Sequence, residues 1–402
     1  MDTTAVLLTL GGLFLAGLVT DLIGRHTPLP RVTLLIVAGT VIGPSLLGLL
    51  PSAFSEQWFP LLTDIALVMV GFLLGENFTL DALRERGRTV LVLTAGEVLA
   101  TAALVFFGML LLGVSVEMAL ILAGIAPASA PAATTDVVGE LGAQGELSRT
   151  LLSVVAIDDG VGLIVFSLCL AIAQAVAGAT ADGVLLHGTW EVGGALLVGT
   201  ALGLPMAYLT GRIRPGEPTQ AEALGMVLLC GGVANWLEVS YILAAVVMGA
   251  VVANFAYHHH RPFSAIEGID WPFMILFFVL AGASLHLGSL ADVGLLAGAY
   301  IGLRAAGLVA GNWAAGSLLQ APRAVRRWMG LALLPQAGVA LGMMLLAAQR
   351  FPELESALLP IIIGSTVVFE LVGPVVTRRV LVLGEAEAGA ARGAGSGNGS
   401  ER

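Results

Sequence analysis

The sequence predicts an all-α polytopic membrane protein of about thirteen transmembrane helices, built as inverted repeats with one interrupted helix in each. Three observations predict it. Of the 402 residues 57% are hydrophobic and only 11% charged, with a mean hydropathy of +0.94. A soluble domain carries roughly 25% charge, so a water-soluble globule is excluded. Apolar runs of membrane-spanning length recur along the whole chain, and the arginines between them fall on alternate loops. The formal charge of −10 says little about partners, because a membrane protein's charges are read loop by loop.

Taken in order, apolar runs bounded by polar or Pro/Gly punctuation lie at 5–23, 32–49, 59–75, 89–112, 116–138, 150–173, 190–211, 219–237, 240–256, 271–290, 294–316, 328–348 and 358–381. The first lacks a basic flank, which argues against a cleavable signal peptide. The loops are too short for a soluble domain, and Cys169 and Cys230 sit in apolar runs rather than in a disulfide or zinc pattern. From Gly384 the Gly/Ser/Ala-rich tail, 384–402, is expected to be disordered. There is no lysine, so all 18 basic residues are arginine. Sixteen of them fall in alternate loops and the tail, Arg350 stands alone on the other side, and Arg304 lies within a span. The positive-inside rule then places the N-terminus outside and the C-terminus in the cytoplasm.

An internal repeat overlays 71–80 (GFLLGENFTL) on 277–287 (FFVLAGASLHL), Gly75 on Gly282 and Leu80 on Leu287. At the same spacing Glu97 meets Arg304, and Asp158–Asp159 meet Ser365–Thr366. The halves begin on opposite sides of the membrane, the layout of secondary transporters.

The strongest chemical feature is SVVAIDDGVGLIVF (153–166), which buries two neighbouring acids, Asp158 and Asp159, inside the sixth span. Each unpaired charge at mid-membrane costs at least ~2.5–3.5 kcal/mol, and neighbouring carboxylates also repel. The relief is a bound proton or a bound cation. A small hard cation such as Na⁺ or Li⁺ seeks several oxygen ligands, so proton and cation compete for the same oxygens. The plain alternative, a helix-end pair reaching the interface, fits poorly because each Asp lies at least about two turns from its span's end.

The fifth span, GIAPASAPAATTDVVGELG (124–142), is interrupted by Pro127 and Pro131. Pro335, Gln336 and Gly338 do the same in LLPQAGVALG of the twelfth. Freed carbonyls at membrane depth are tolerated where protein or a wet cavity covers them, and two opposed breaks present partial charges of both signs at mid-membrane. A pair of ordinary proline kinks is the alternative. Arg304, which cannot shuttle a proton, has Glu97 and the Asp pair as candidate partners, and an intramembrane Glu97–Arg304 ion pair is expected. Asp136, after Thr134 and Thr135, is either a cation funnel or a solvated helix end. Asp64 and Glu370 read as helix–helix links, His258–His260 as a plain loop, and the Gly307–Gly311 spacing as close packing.

These residues together resemble the cation:proton antiporter superfamily, and its bacterial Na⁺/H⁺ branch with the adjacent-aspartate motif. RHTPLPRVTLLIVAGTVIGPSLLG looks like the family's opening hairpin, and TDIALVMVGFLLGENF like its third span, with Asp64 where a Glu is usual. AIDDGVGLIVF, LLPQAGVALG and STVVFELVGPVVTR (365–378) match the aspartate helix, the second crossing helix and the last span. The resemblance implies a dimerising bundle (1–75 and 219–290), a core that moves as an elevator (89–173 and 294–381), and a linker helix at 190–211. It implies Asp159 as the cation- and proton-carrying residue, Asp158 as its partner, and Ser129 and Thr134 as further ligands. Ala130 lacks a side-chain oxygen that some relatives offer at the first crossing motif. Arg304 stands where electrogenic relatives place a lysine.

The expected function is therefore exchange of Na⁺ or Li⁺ for H⁺ by a homodimer in a bacterial inner membrane, without cofactor, nucleic acid or enzymatic chemistry. A K⁺/H⁺ exchanger of the same architecture is the nearest alternative. A sodium-coupled solute symporter and a passive channel are more distant ones.

Overall fold

The computed structural model describes residues 3–26, 31–178, 181–210, 219–258, 260–285, 294–336 and 338–396, and among them all regular structure is helical. The helices are α1 (Thr3–His26), α2 (Arg31–Ile42), α3 (Ser52–Gly75), α4 (Leu80–Leu111), α5 (Val116–Ile125), α6 (Pro131–Leu141), α7 (Glu146–Gly178) and α8 (Ala181–Thr210). They continue as α9 (Thr219–Trp236), α10 (Tyr241–Phe255), α11 (His260–Ala283), α12 (Gly294–Leu318), α13 (Arg323–Ala332), α14 (Gly338–Arg350) and α15 (Glu355–Ser396). Eight helical segments among the described residues are long and apolar enough to cross a membrane. Large apolar side chains such as Leu111, Trp236, Leu295 and Leu318 stand exposed while Asp158, Glu97 and Arg304 are buried. That inversion suits a molecule whose solvent is lipid.

Packing divides the helices into two sets. In one, α4 lies along α12, α5 along α7, and α13 and α14 along α15; α6 rests on α7 and α15. In the other, α3 packs on α9, α10 and α11, and α2 lies along α11 with α1 beside it. Helix α8 contacts α7 of the first set and α9 and α10 of the second.

The α4–α12 seam is closed by glycine. A Cβ on Gly307 would lie 2.5 Å from the Thr101 Cα, and one on Gly311 2.7 Å from the Glu97 Cα. The missing side chains let the two backbones meet at the depth of Glu97, and Gly307–Gly311 is close packing, as its spacing suggested.

Several helix limits differ from the sequence reading: α3, α4 and α8 begin at Ser52, Leu80 and Ala181 rather than at 59, 89 and 190, and three further limits differ as follows. The second apolar run, expected to 49, stops being helical at Ile42 because Pro44 follows; the N–H groups of Leu47, Leu49 and Leu50 turn back onto the Val41 and Ile42 carbonyls. The tenth begins at His260 rather than 271: Arg261, Glu267 and Asp270 dilute the hydropathy of about three turns whose Phe263 and Ile266 are buried. Its expected end, 286–290, lies outside the described residues. The tail expected to be disordered from Gly384 instead continues α15 to Ser396. Its Ala, Glu and Arg content favours helix, and Glu387 ties it to α13 by accepting from Arg327 Nη1 (3.2 Å) and Trp328 Nε1 (3.3 Å). Residues 397–402 lie outside the described residues.

Candidate functional site

Helix α7 carries Asp158 and Asp159 past the place where two chain breaks meet. The first break spans 126–130: α5 ends at Ile125, and Pro131 opens α6 at a position whose N–H has no helical partner anyway. The second begins after Ala332 and includes Pro335 and Gln336, with Gly338 opening α14. Gly373 of α15 makes room for it, since a Cβ there would lie 2.7 Å from the Pro335 Cα.

Arg304 joins the breaks. Fully buried in α12, it donates from Nε to the Ala126 carbonyl (2.8 Å), from Nη2 to Ala128 (2.8 Å) and from Nη1 to Leu334 (2.9 Å). Its guanidinium carbon lies 4.3 Å over the Phe369 ring. These carbonyls follow the C-terminal ends of α5 and α13, the negative poles of two helix dipoles. The expected Glu97–Arg304 ion pair is therefore corrected: Arg304's forked donors are spent on three carbonyls that a single carboxylate could not have replaced. Glu97 remains close enough to feel the charge, as does Asp158. Its Oε2 accepts instead from Asn312 Nδ2 (3.1 Å), which also reaches the Leu308 carbonyl (3.0 Å).

The two aspartates are 0% and 3% exposed. The Ser129 hydroxyl approaches Asp158, the Ser129 backbone N–H approaches Asp159, and the Glu97 carboxyl adjoins Asp158. Ser129 lies just before α6, so the positive pole of that half-helix faces the carboxylates. Both oxygens of Asp158, one of Asp159, and the hydroxyls of Ser129 and Thr134 are buried without a hydrogen bond of ordinary geometry, as are both polar atoms of Gln336. Each such orphan costs about 1–3 kcal/mol. Oxygens left open together suit a proton or a small cation better than they suit a packed core.

Not every singled-out residue belongs to this cluster. Asp136 is exposed on α6. Asp64 accepts from Tyr241 (2.9 Å) and Gln349 (3.3 Å), and Glu370 accepts from Thr33, so both link helices. His258 and His260 are exposed, with His260 Nδ1 3.5 Å from Glu76; His259 lies outside the described residues. Among the described residues no group of three or more His, Cys, Asp or Glu forms a metal cluster. Ser365 and Thr366, which the repeat places opposite the aspartates, are buried hydroxyls. Asn312 and Tyr300 escaped the sequence reading; a polar residue within an apolar span was the available signal. An apolar cavity of about 240 Å³ lies between the two helix sets, reached by Leu163 one turn beyond Asp159, by Gly338 at the second break, and by Asp270 and Phe278 from α11.

Residues 10–383 match the family model described as sodium/hydrogen exchanger, transmembrane. The chain belongs to this sodium/hydrogen exchanger family. The chain is thus a multi-pass membrane protein of a cation/proton transport family, not an enzyme. It is 25% identical over 284 residues to Cation/H(+) antiporter 18 of Arabidopsis thaliana, covering 65% of this chain and 34% of that one. It is 23% identical over 290 residues to the Ammonium/H(+) antiporter subunit AmhT of Alkalihalophilus pseudofirmus, covering 68% and 70%. The chain spans about a third of the plant relative's length. Its fold is similar to the sodium proton antiporter MjNhaP1 of Methanocaldococcus jannaschii at pH 8, with a TM-score of 0.70 and 20% identity over 96% of this chain and 98% of that one. An electron-microscopy structure of the same antiporter gives a TM-score of 0.65 at 18% identity.

Proposed function

We propose that the protein exchanges Na⁺ or Li⁺ for H⁺, cation and proton alternating on Asp158 and Asp159. The observation that carries this reading is the cluster of buried, unpartnered oxygens on Asp158, Asp159 and Ser129 beside two breaks held by Arg304. Thr134 and Ser129 add neutral oxygens to the shell. Arg304, always protonated and with each of its three nitrogens bonded to a carbonyl, is a fixed charge rather than a proton carrier. The coupling rule follows from electrostatics: a doubly ionised pair at mid-membrane is too costly to move, so the site crosses loaded with a proton or with a cation and not without either.

In this reading the chain is a bacterial inner-membrane homodimer of the adjacent-aspartate branch, with about thirteen spans, the N-terminus outside and the breaks crossed between inverted repeats. The set containing α4–α7 and α12–α15 is the moving core, the set containing α1–α3 and α9–α11 the dimerising bundle, and α8 the link.

The test is the purified protein in proteoliposomes, with proton flux driven by Na⁺, Li⁺, K⁺ or ammonium gradients. Asp159→Asn is expected to fold, insert and show no flux above empty vesicles. Sodium-driven flux at the wild-type rate in that variant would remove the assignment of the site. A larger monovalent cation is the second reading, supported by the ammonium/proton relative; flux with ammonium or K⁺ but not with Na⁺ would select it.

A further inference from the structure

A second recess lies outside the exchange site. Its volume is about 670 Å³, and it is floored by Ala306, Val309 and Ala310 of α12, closed by Trp313, and rimmed by Arg323, Arg326 and Arg327 of α13. Ala306, Ala310 and Trp313 share one outward face of α12, while Gly307, Leu308, Gly311 and Asn312 on the other face pack inward. The floor is therefore apolar, shallow and turned toward lipid for about two helical turns.

The rim is positive and only partly satisfied. Arg327 is committed to Glu387 and stacks at 4.7 Å over Trp328. Among the described residues the side chains of Arg323 and Arg326 have no hydrogen bond or ion pair, and Arg326 Nε is buried without a partner. The Arg326 stem packs against Gly316 of α12, which fixes the guanidinium at the recess. Helix α13 buries Val325 and Met329 beneath this arginine face. Trp313 is 61% exposed, as suits an indole at the membrane–water boundary.

We infer that this recess binds one anionic phospholipid, its phosphate held by Arg323 and Arg326 and an acyl chain lying along Ala306–Ala310. Charge complementarity selects the occupant: guanidinium groups favour phosphate oxygens, and the arginine-rich side of a membrane protein faces the leaflet that holds anionic lipid. The apolar floor selects a lipid over a free anion. Since α13 runs directly into the break held by Arg304, the bound lipid ties that half-helix to the leaflet. The inference goes beyond the exchange reading and holds whichever cation is carried.

The test is native mass spectrometry and thermal unfolding of the full chain in detergent with added phosphatidylglycerol, phosphatidylcholine or inorganic phosphate. Phosphatidylglycerol is expected to remain as a single adduct and to raise the melting temperature, while phosphatidylcholine does neither. Occupancy should fall on the order of tenfold in the Arg323→Gln/Arg326→Gln double variant and stay unchanged in Arg378→Gln/Arg379→Gln. Ala310→Trp fills the recess while keeping every charge and should also expel the lipid, which covers the case in which the arginine variant fails to fold. Equal binding of phosphatidylcholine, an equal loss in both arginine pairs, full retention in Ala310→Trp, or the same stabilisation by inorganic phosphate alone would each overturn the inference.

Discussion

A guanidinium buried in a membrane needs its charge and its donors answered. Arg304 gives three of its five N–H groups, one from each nitrogen, to the carbonyls of Ala126, Ala128 and Leu334 and lays its charge over the face of Phe369. A lysine has the charge but not the planar fork. Arg304→Lys is therefore expected to lower the melting temperature clearly and to reduce exchange at least tenfold, because about 1–3 kcal/mol is lost for each carbonyl left unanswered. Unfolding and proteoliposome flux measured on one preparation check this; a variant with wild-type melting and flux would show that the breaks do not depend on the fork. At this scale the site was half legible. Asp158, Asp159 and the prolines announce themselves because charge and missing N–H groups are costly in an apolar run. Arg304's partners do not, since sequence pairs charge with charge whereas the fold offered two helix ends. Asn312, which holds Glu97, carries no charge to draw notice.

At the scale of elements, the α4–α12 seam decides whether Glu97, Asn312 and Arg304 keep their places. Gly311→Leu would push a branched side chain into the Glu97 backbone, where even a Cβ meets the Cα at 2.7 Å. Overpacking of this kind costs about 1–3 kcal/mol or more, so the variant should melt earlier and lose exchange, whereas Gly298→Leu, with nothing within 4 Å of its Cβ, should do neither. Equal behaviour of the two variants in a thermal assay would remove the seam's role. Most helix positions were legible from apolar runs, and both breaks from Pro and Gly. Of the limits that slipped, two have visible physical reasons: α11 opens with about three turns whose Arg261, Glu267 and Asp270 lower the hydropathy, and α15 continues on helix-forming residues that a composition rule for tails cannot separate from a linker.

At the scale of the molecule, the two helix sets meet across mostly apolar surface with a few polar bridges: Thr33 to Glu370, Asp64 to Gln349 (3.3 Å), and Ser167 to Ser240 (3.3 Å). If the core slides, these bonds break in each cycle. Thr33→Val removes one, worth about 0.5–1.5 kcal/mol, and should raise the maximal exchange rate about threefold while leaving the half-saturating cation concentration unchanged. Initial rates over a cation series measure both; a shifted half-saturation with an unchanged maximum would mean that the bridge belongs to the binding site instead. Asp64 and Glu370 were legible as helix–helix links, since an acid in an apolar run needs a partner, but Thr33, Gln349 and the Ser167–Ser240 pair were not, because neutral polar residues leave no such signal.

The hydroxyls of Ser365 and Thr366, standing where the other half of the chain has its aspartates, give the molecule an uneven division of labour. Where one half has a pair of carboxyl groups, the other has a pair of neutral hydroxyls. On the proposed reading the first half supplies the two aspartates and the second the arginine beside them, so cargo and fixed counter-charge come from opposite halves of the chain.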